Sequence, residues 1–122
     1  MAKTIMVVDD SASLRQVVGI ALRSAGYDVV EGCDGKDALA KLTGQKINLV
    51  ISDVNMPNMD GISFVKALKQ LPAYRFTPVI MLTTESQEAK KAEGQAAGAK
   101  AWVVKPFRPE TMLAAVQKLV LP

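Results

Sequence analysis

Val50-Ile51-Ser52-Asp53-Val54-Asn55-Met56-Pro57-Asn58-Met59-Asp60-Gly61 is the stretch from which the rest of the chain can be placed. It continues an apolar run, Ile47 to Ile51, interrupted only by Asn48, that reads as a buried strand. A carboxylate, Asp53, stands where the run ends. Turn residues follow (Asn55, Pro57, Asn58, Asp60, Gly61), and a helical pattern begins near Ile62. The carboxyl ends of strands in an open α/β sheet form the rim where ligands bind. Asp53 is therefore the candidate reactive group, an acceptor of a phosphoryl group.

The same strand–turn–helix unit repeats on either side. Towards the N-terminus, Ile5-Met6-Val7-Val8 forms a strand ending at Asp9-Asp10, and Ser11 or Ser13 caps the helix behind it. Leu14, Val17, Val18, Ala21, Leu22 and Ala25 follow helical spacing, and Gly26 stops that helix. Asp28 to Glu31 reads as a second strand. Asp34 begins a helix that runs through Ala38, Leu39 and Leu42 to Gly44.

Towards the C-terminus, the helix after Gly61 buries Ile62, Val65 and Leu68 and is limited by Pro72. Val79-Ile80-Met81-Leu82 is a fourth strand, ending in Thr83-Thr84, and a helix capped by Thr84 or Ser86 runs to Gly98. A fifth strand, Ala101-Trp102-Val103-Val104, ends at Lys105-Pro106. Pro109 opens the last helix, which buries Met112, Leu113, Val116, Leu119 and Val120. Successive strand–helix pairs imply right-handed crossovers. The strands are short, near-continuous apolar runs, as burial on both faces demands. The expected fold is α/β and flavodoxin-like: a five-stranded parallel sheet in the order 2-1-3-4-5, with helices on both faces. One domain, residues 1–122, accounts for the chain, with no output domain.

Composition narrows the chemistry. The 122 residues contain no histidine and a single cysteine, Cys33. Histidine-dependent triads, histidine-ligated zinc and structural zinc on cysteines are thereby excluded, and any metal must be a hard cation held by oxygen. A lone cysteine and the absence of a visible signal peptide or membrane-length apolar run point to the cytoplasm, with no membrane insertion. The net charge is +3, but the basic residues are scattered and carry no interleaved aromatics, so no nucleic-acid partner is expected.

The strand ends carry Asp9-Asp10, Asp53, Thr83 and Lys105 in turn. In the strand order 2-1-3-4-5 the first and third strands flank the ligand crevice, which crowds the carboxylates together. A divalent cation and the Lys105 ammonium are the expected partners of that charge. Side chains alternate along a strand, so of Asp9 and Asp10 one ligates Mg²⁺ directly and the other acts through water or hydrogen bonds. The Asp53 carboxylate is then a nucleophile, Mg²⁺ and Lys105 neutralise phosphoryl oxygens, and the Thr83 hydroxyl donates to one of them. Taken singly, each residue has a plainer reading. Asp10 or Asp53 alone could cap a helix, Thr83 alone could bond nearby backbone, Lys105 alone could be solvated, and Trp102 alone could be packing. Their joint placement at successive strand ends is what favours a site.

These residues resemble the receiver domain of two-component response regulators, of the single-domain chemotaxis type. The resemblance spans the chain and rests on Val7-Val8-Asp9-Asp10-Ser11, Ser52 to Gly61, Met81-Leu82-Thr83-Thr84-Glu85, Ala97-Gly98-Ala99 and Val103-Val104-Lys105-Pro106-Phe107. Spacings of thirty residues from Asp53 to Thr83 and twenty-two from Thr83 to Lys105 match as well. It implies that Asp53 is the phosphoacceptor. It also implies that Asp10, Asp53 and the Asn55 backbone carbonyl bind Mg²⁺ (Mn²⁺ could substitute), with Asp9 acting through a coordinated water. Lys105 would contact the phosphoryl group, across a cis bond to Pro106.

The resemblance further implies a switch. Thr83 moves towards the phosphoryl group while the aromatic on the fifth strand, here Trp102, changes rotamer and remodels the face of the fourth helix, fifth strand and fifth helix. Trp102 stands where tyrosine or phenylalanine is usual, so a larger indole has to fit the inward pocket. Thr84 stands where chemotaxis members have alanine, adding bulk beside the phosphoryl site. Asn55, Thr84 and Glu85 are the residues expected to tune phosphoryl lifetime.

The implied partners are a sensor histidine kinase of the chemotaxis type and a downstream protein such as the flagellar motor switch. The chain is expected to be a monomer, with dimerisation on phosphorylation left open. A phosphorelay shuttle passing the group to a histidine phosphotransfer protein is the alternative within the same class. A metal-dependent aspartyl-nucleophile phosphatase is the alternative from another class; those enzymes usually pair two aspartates as D-x-D, and here Asn55 stands two after Asp53.

Overall fold

The structure, a computed structural model, describes residues 3–42, 44–83, 88–105 and 108–120. Its elements are β1 (Thr4–Val8), α1 (Ala12–Ser24), β2 (Asp28–Gly32), α2 (Gly35–Lys41), β3 (Leu49–Asp53), α3 (Gly61–Gln70), a 3₁₀ turn (Pro72–Tyr74), β4 (Val79–Thr83), α4 (Glu88–Ala97), β5 (Ala101–Val104) and α5 (Pro109–Leu119). The strands form one five-stranded sheet, in the order β2-β1-β3-β4-β5, with every pairing parallel. This is the expected flavodoxin-like arrangement.

Period-two alternation along the strands divides the core in two. Ile5, Val7, Leu49, Ile51, Ile80, Leu82 and Val103 pack with Val18 and Leu22 of α1 and Met112 and Val116 of α5. Met6, Val8, Val50, Val79 and Met81 pack on the opposite face with Ala38 of α2 and Ile62, Phe64, Val65 and Leu68 of α3. The strands β1, β3 and β4 are buried almost throughout, whereas the edge strands β2 and β5 are only partly covered. Among the described residues no helix is long and apolar enough to cross a membrane.

Some boundaries differ from the sequence reading. The third strand begins at Leu49 rather than Ile47 and ends on Asp53 itself. Asn48 is the reason: its N–H donates to the Thr4 carbonyl at 2.8 Å and its Oδ1 accepts from the Thr4 N–H at 2.8 Å, which locks the entry of β3 beside β1. The second helix stops at Lys41 instead of reaching Gly44, because Leu42 leaves helical geometry at ψ 83°. The caps suggested for the fourth helix, Thr84 and Ser86, lie outside the described residues.

Candidate functional site

The turn after β1 is fixed from several sides. The Asp9 N–H donates to the Gly32 carbonyl at 3.0 Å, and Asp9 Oδ1 accepts the Ser11 N–H at 2.9 Å. Ser11 caps α1 by accepting the Leu14 N–H at 3.2 Å. Arg15, one turn into α1, donates from a guanidinium nitrogen to the Asp9 carbonyl at 2.5 Å and from Nε to Glu31 at 3.3 Å. Asp9 is thereby buried at 1% exposure, and its neighbour Asp10 faces solvent. The two aspartates have different environments, as strand alternation requires.

Asp53 ends β3 at 7% exposure, with Oδ1 accepting the Val54 N–H at 3.0 Å. The chain then loops through residues 54–60 and returns at Gly61, whose N–H donates to the Val54 carbonyl at 2.8 Å. Gly61 is placed so close that a Cβ there would overlap the Asp53 carbonyl oxygen. Asp60 caps α3 through the Ser63 N–H at 2.7 Å.

From the far side of the sheet, the Lys105 N–H donates to the Thr83 carbonyl at 2.6 Å. Its ammonium reaches Asp53 Oδ1 at 3.1 Å and Asp9 Oδ2 at 3.3 Å. Thr83 is buried at the end of β4, between the strands of Asp53 and Lys105. Trp102 is half-buried, in register with Met81, and packs on the face covered by α3; its indole N–H is buried without an acceptor among the described residues.

The electrostatics follow from this crowding. Burial raises the pKa of Asp9, and the Ser11 N–H and Lys105 offset only part of the rise. Burial and then the Asp9 charge raise that of Asp53, against the opposing pull of Lys105. Burial disfavours the Lys105 ammonium, but Asp53 and Asp9 together outweigh it, so the Lys105 pKa rises.

Carboxylate oxygens of Asp9, Asp10 and Asp53 lie within 4.8 Å of one another. Asp10 also lines an open cleft of about 340 Å³, with Asn55, Met56, Pro57 and Asp60. Three carboxylates facing one ammonium leave negative charge uncompensated, and every donor is a hard oxygen. That donor set fits Mg²⁺.

The structure thus brings Asp9, Asp10, Asp53 and Lys105 together, sets Asn55 in the cleft wall, and puts Thr83 and Trp102 on the neighbouring strands. Thr84, Glu85, Pro106 and Phe107 lie outside the described residues. Arg15, Asp34, Asn58 and the close packing of Gly61 were not singled out from sequence as parts of the site. Only Gly61 had a local signal, the Asp-Gly pair opening a helix beside Asp53.

Residues 5–117 match the profile of the response regulator receiver domain. Chemotaxis protein CheY4 of Vibrio cholerae superposes with a TM-score of 0.93 at 48% identity, covering 98% of this chain and 100% of that one. The receiver domain of sensor histidine kinase PA1611 from Pseudomonas aeruginosa PAO1 was solved with a magnesium ion coordinated in its active-site cleft. It superposes at a TM-score of 0.88 and 25% identity, covering 98% of each chain. Protein PilG of Pseudomonas aeruginosa is 36% identical over 113 residues, which is 93% of this chain and 84% of PilG.

Proposed function

The chain belongs to the response regulator receiver domain family, and from that premise we propose that it is a signalling phosphoprotein switched by Mg²⁺-dependent phosphorylation of Asp53. The observation that carries this reading is the Lys105 ammonium set between Asp9 and Asp53, with an Asp10 carboxylate oxygen within 4.8 Å of theirs. Asp10, Asp53 and the Asn55 carbonyl would hold Mg²⁺ directly, and Asp9 through a water. A bound divalent cation neutralises charge on the transferring phosphoryl oxygens. Mn²⁺, equally a hard cation, would serve in its place.

An Asp53 oxygen attacks the phosphorus of a phosphohistidine on a sensor kinase. The O–P bond forms as the P–N bond breaks, and the departing imidazole takes its proton from solvent. Asp9 fixes the Lys105 ammonium beside Asp53, and that ammonium faces the incoming oxygens. Thr83, one strand over, supplies a hydroxyl to the same group. Its movement, with that of Trp102, alters the face of α4, β5 and α5, where a downstream protein docks. The similarity to CheY4 favours a chemotaxis setting in the cytoplasm, with a kinase of that system as donor and a motor-switch protein as target. Asn55, Thr84 and Glu85 set the lifetime of the acyl phosphate, and Thr84→Ala should release phosphate faster.

Labelling with acetyl phosphate in Mg²⁺ tests the centre of this reading. The parent should gain one phosphoryl group on Asp53, and Asp53→Asn should gain none. Undiminished labelling of the variant would overturn the assignment. Capture by a motor-switch protein of the beryllofluoride-treated form, and not the untreated one, tests the output.

A further inference from the structure

The loop of residues 54–60 forms one wall of the carboxylate cleft, yet its tip is held from outside the site. Asn55, Met56, Pro57 and Asp60 of this loop line the cleft together with Asp10. At the tip Asn58 adopts φ +66°, a left-handed conformation that costs energy in a residue with a side chain. Asparagine tolerates this conformation better than most residues, and a bond to its side chain helps to hold it there.

Asp34 supplies that bond. Its Oδ2 accepts from Asn58 Nδ2 at 2.7 Å, while its Oδ1 caps α2 by accepting the Asp37 N–H at 2.8 Å. The carboxyl lies close to the surface but is covered by its neighbours to 7% exposure, so both oxygens are committed. The Asp37 N–H and then the Asn58 amide hold its pKa below the ordinary value, so it stays an anion and the bond to Asn58 is charge-assisted. A second contact runs beside the first. The Gly35 N–H approaches the Met59 carbonyl at 3.4 Å, and a Cβ on Gly35 would come within 2.7 Å of Met59 Cγ. Two loops from successive strand–helix units are thus docked on each other at the edge of the cleft.

We propose that Asp34, acting through Asn58, is a positioning residue for divalent-cation binding: it pins the loop so that the Asn55 segment keeps its place in the cleft wall. The inference rests on the metal-binding reading above. Mg²⁺ demands near-ideal octahedral geometry, so a main-chain ligand free to move spends part of its time out of reach. Apparent affinity then falls by the fraction of time the loop is misplaced.

Binding of Mn²⁺ to the full chain, followed by the electron paramagnetic resonance of the free ion, tests this. Asp34→Ser keeps a hydroxyl oxygen for the α2 cap but leaves no second acceptor for Asn58. Asn58→Gly accepts φ +66° without strain and loses only the amide. The double exchange Asp34→Asn with Asn58→Asp restores the bond with donor and acceptor reversed, at unchanged net charge. Each single variant should raise the Kd by roughly threefold to tenfold, and the exchange should return it to within about twofold of the parent. That rescue is not expected of a residue that merely caps a helix. Urea unfolding alongside shows that the variants are folded, and if Asp34→Ser is not, Asn58→Gly carries the test alone. Single variants within about twofold of the parent, or a folded exchange that restores nothing, would overturn the proposal. Asp10→Ala is the reference: if the parent itself shows no saturable, Asp10-dependent binding, the metal reading falls and takes this one with it.

Discussion

Lys105 and Asp53 meet across an intervening strand: Nζ stands 3.1 Å from Oδ1, although 52 residues and the whole of β4 separate them. The ammonium and a divalent cation are attracted by the same carboxylates, so they compete. Lys105→Met should therefore tighten Mg²⁺ or Mn²⁺ binding several-fold while lowering stability without metal. The stability loss should be about 2 kcal/mol, below the ~3–5 kcal/mol of a fully buried pair because Lys105 is one-quarter exposed. Metal titration and urea unfolding of one preparation check both signs.

Asp53 gives a second, pH-dependent prediction. Its raised pKa means that folding disfavours its ionised form. The penalty is absent below the unfolded value of 3.8, grows as pH rises through the window up to the folded pKa, and is complete above it. Asp53→Asn should thus stabilise the metal-free protein at neutral pH, by about 3–5 °C in Tm if the gain is near 1 kcal/mol. The gain should shrink as pH is lowered towards 4, as roughly the unfolded value demands. Thermal unfolding across pH, with chelator present, measures it.

Gly61 tests the backbone of the site. A Cβ there would strike the Asp53 carbonyl oxygen, main chain that cannot turn aside as a flexible side chain can. Gly61→Ala should cost about 3 kcal/mol, at the large end for a single substitution. It should also slow acetyl phosphate labelling even where the variant is folded. Urea midpoints and labelling rates report the two effects separately.

Trp102 carries a buried N–H with no acceptor among the described residues, a cost of about 1–3 kcal/mol against folding. Replacing the indole by phenylalanine removes that penalty and some packing area together. Trp102→Phe should stay within about 1 kcal/mol of the parent, whereas Trp102→Ala, which loses the packing alike but fills nothing, should fall by about 2–3 kcal/mol. Chemical denaturation separates the pair.

The sheet and the gathering of polar residues at its carboxyl edge were legible because β1, β3, β4 and β5 are apolar runs that end abruptly at charged or hydroxyl residues. Asp9-Asp10, Asp53, Thr83 and Lys105 mark four strand ends and, by residue type, suggest the proposed chemistry. What could not be read is how the loops between those ends are held. The Asp34–Asn58 bond spans 24 residues, and Arg15 reaches Glu31 across 16, with no local pattern linking either pair. The early stop of α2 at Lys41 was hidden for a related reason: Leu42 keeps the apolar spacing of a helix it has already left. Phe64 shows the converse, a fully buried residue of α3 that the chosen triplet Ile62, Val65 and Leu68 passed over.

The order in which the strands leave the ribosome gives the placement of Lys105 one more meaning. The first four strands emerge with all three carboxylates of the cleft, but their ammonium follows β5, the fifth strand of the sheet and an edge paired with β4. A nascent chain lacking β5 therefore displays an acidic pocket with nothing to set against its repulsion. The pocket acquires its cation only once β5 has been made and paired with β4, so the three carboxylates stand together before the ammonium that offsets them is in place.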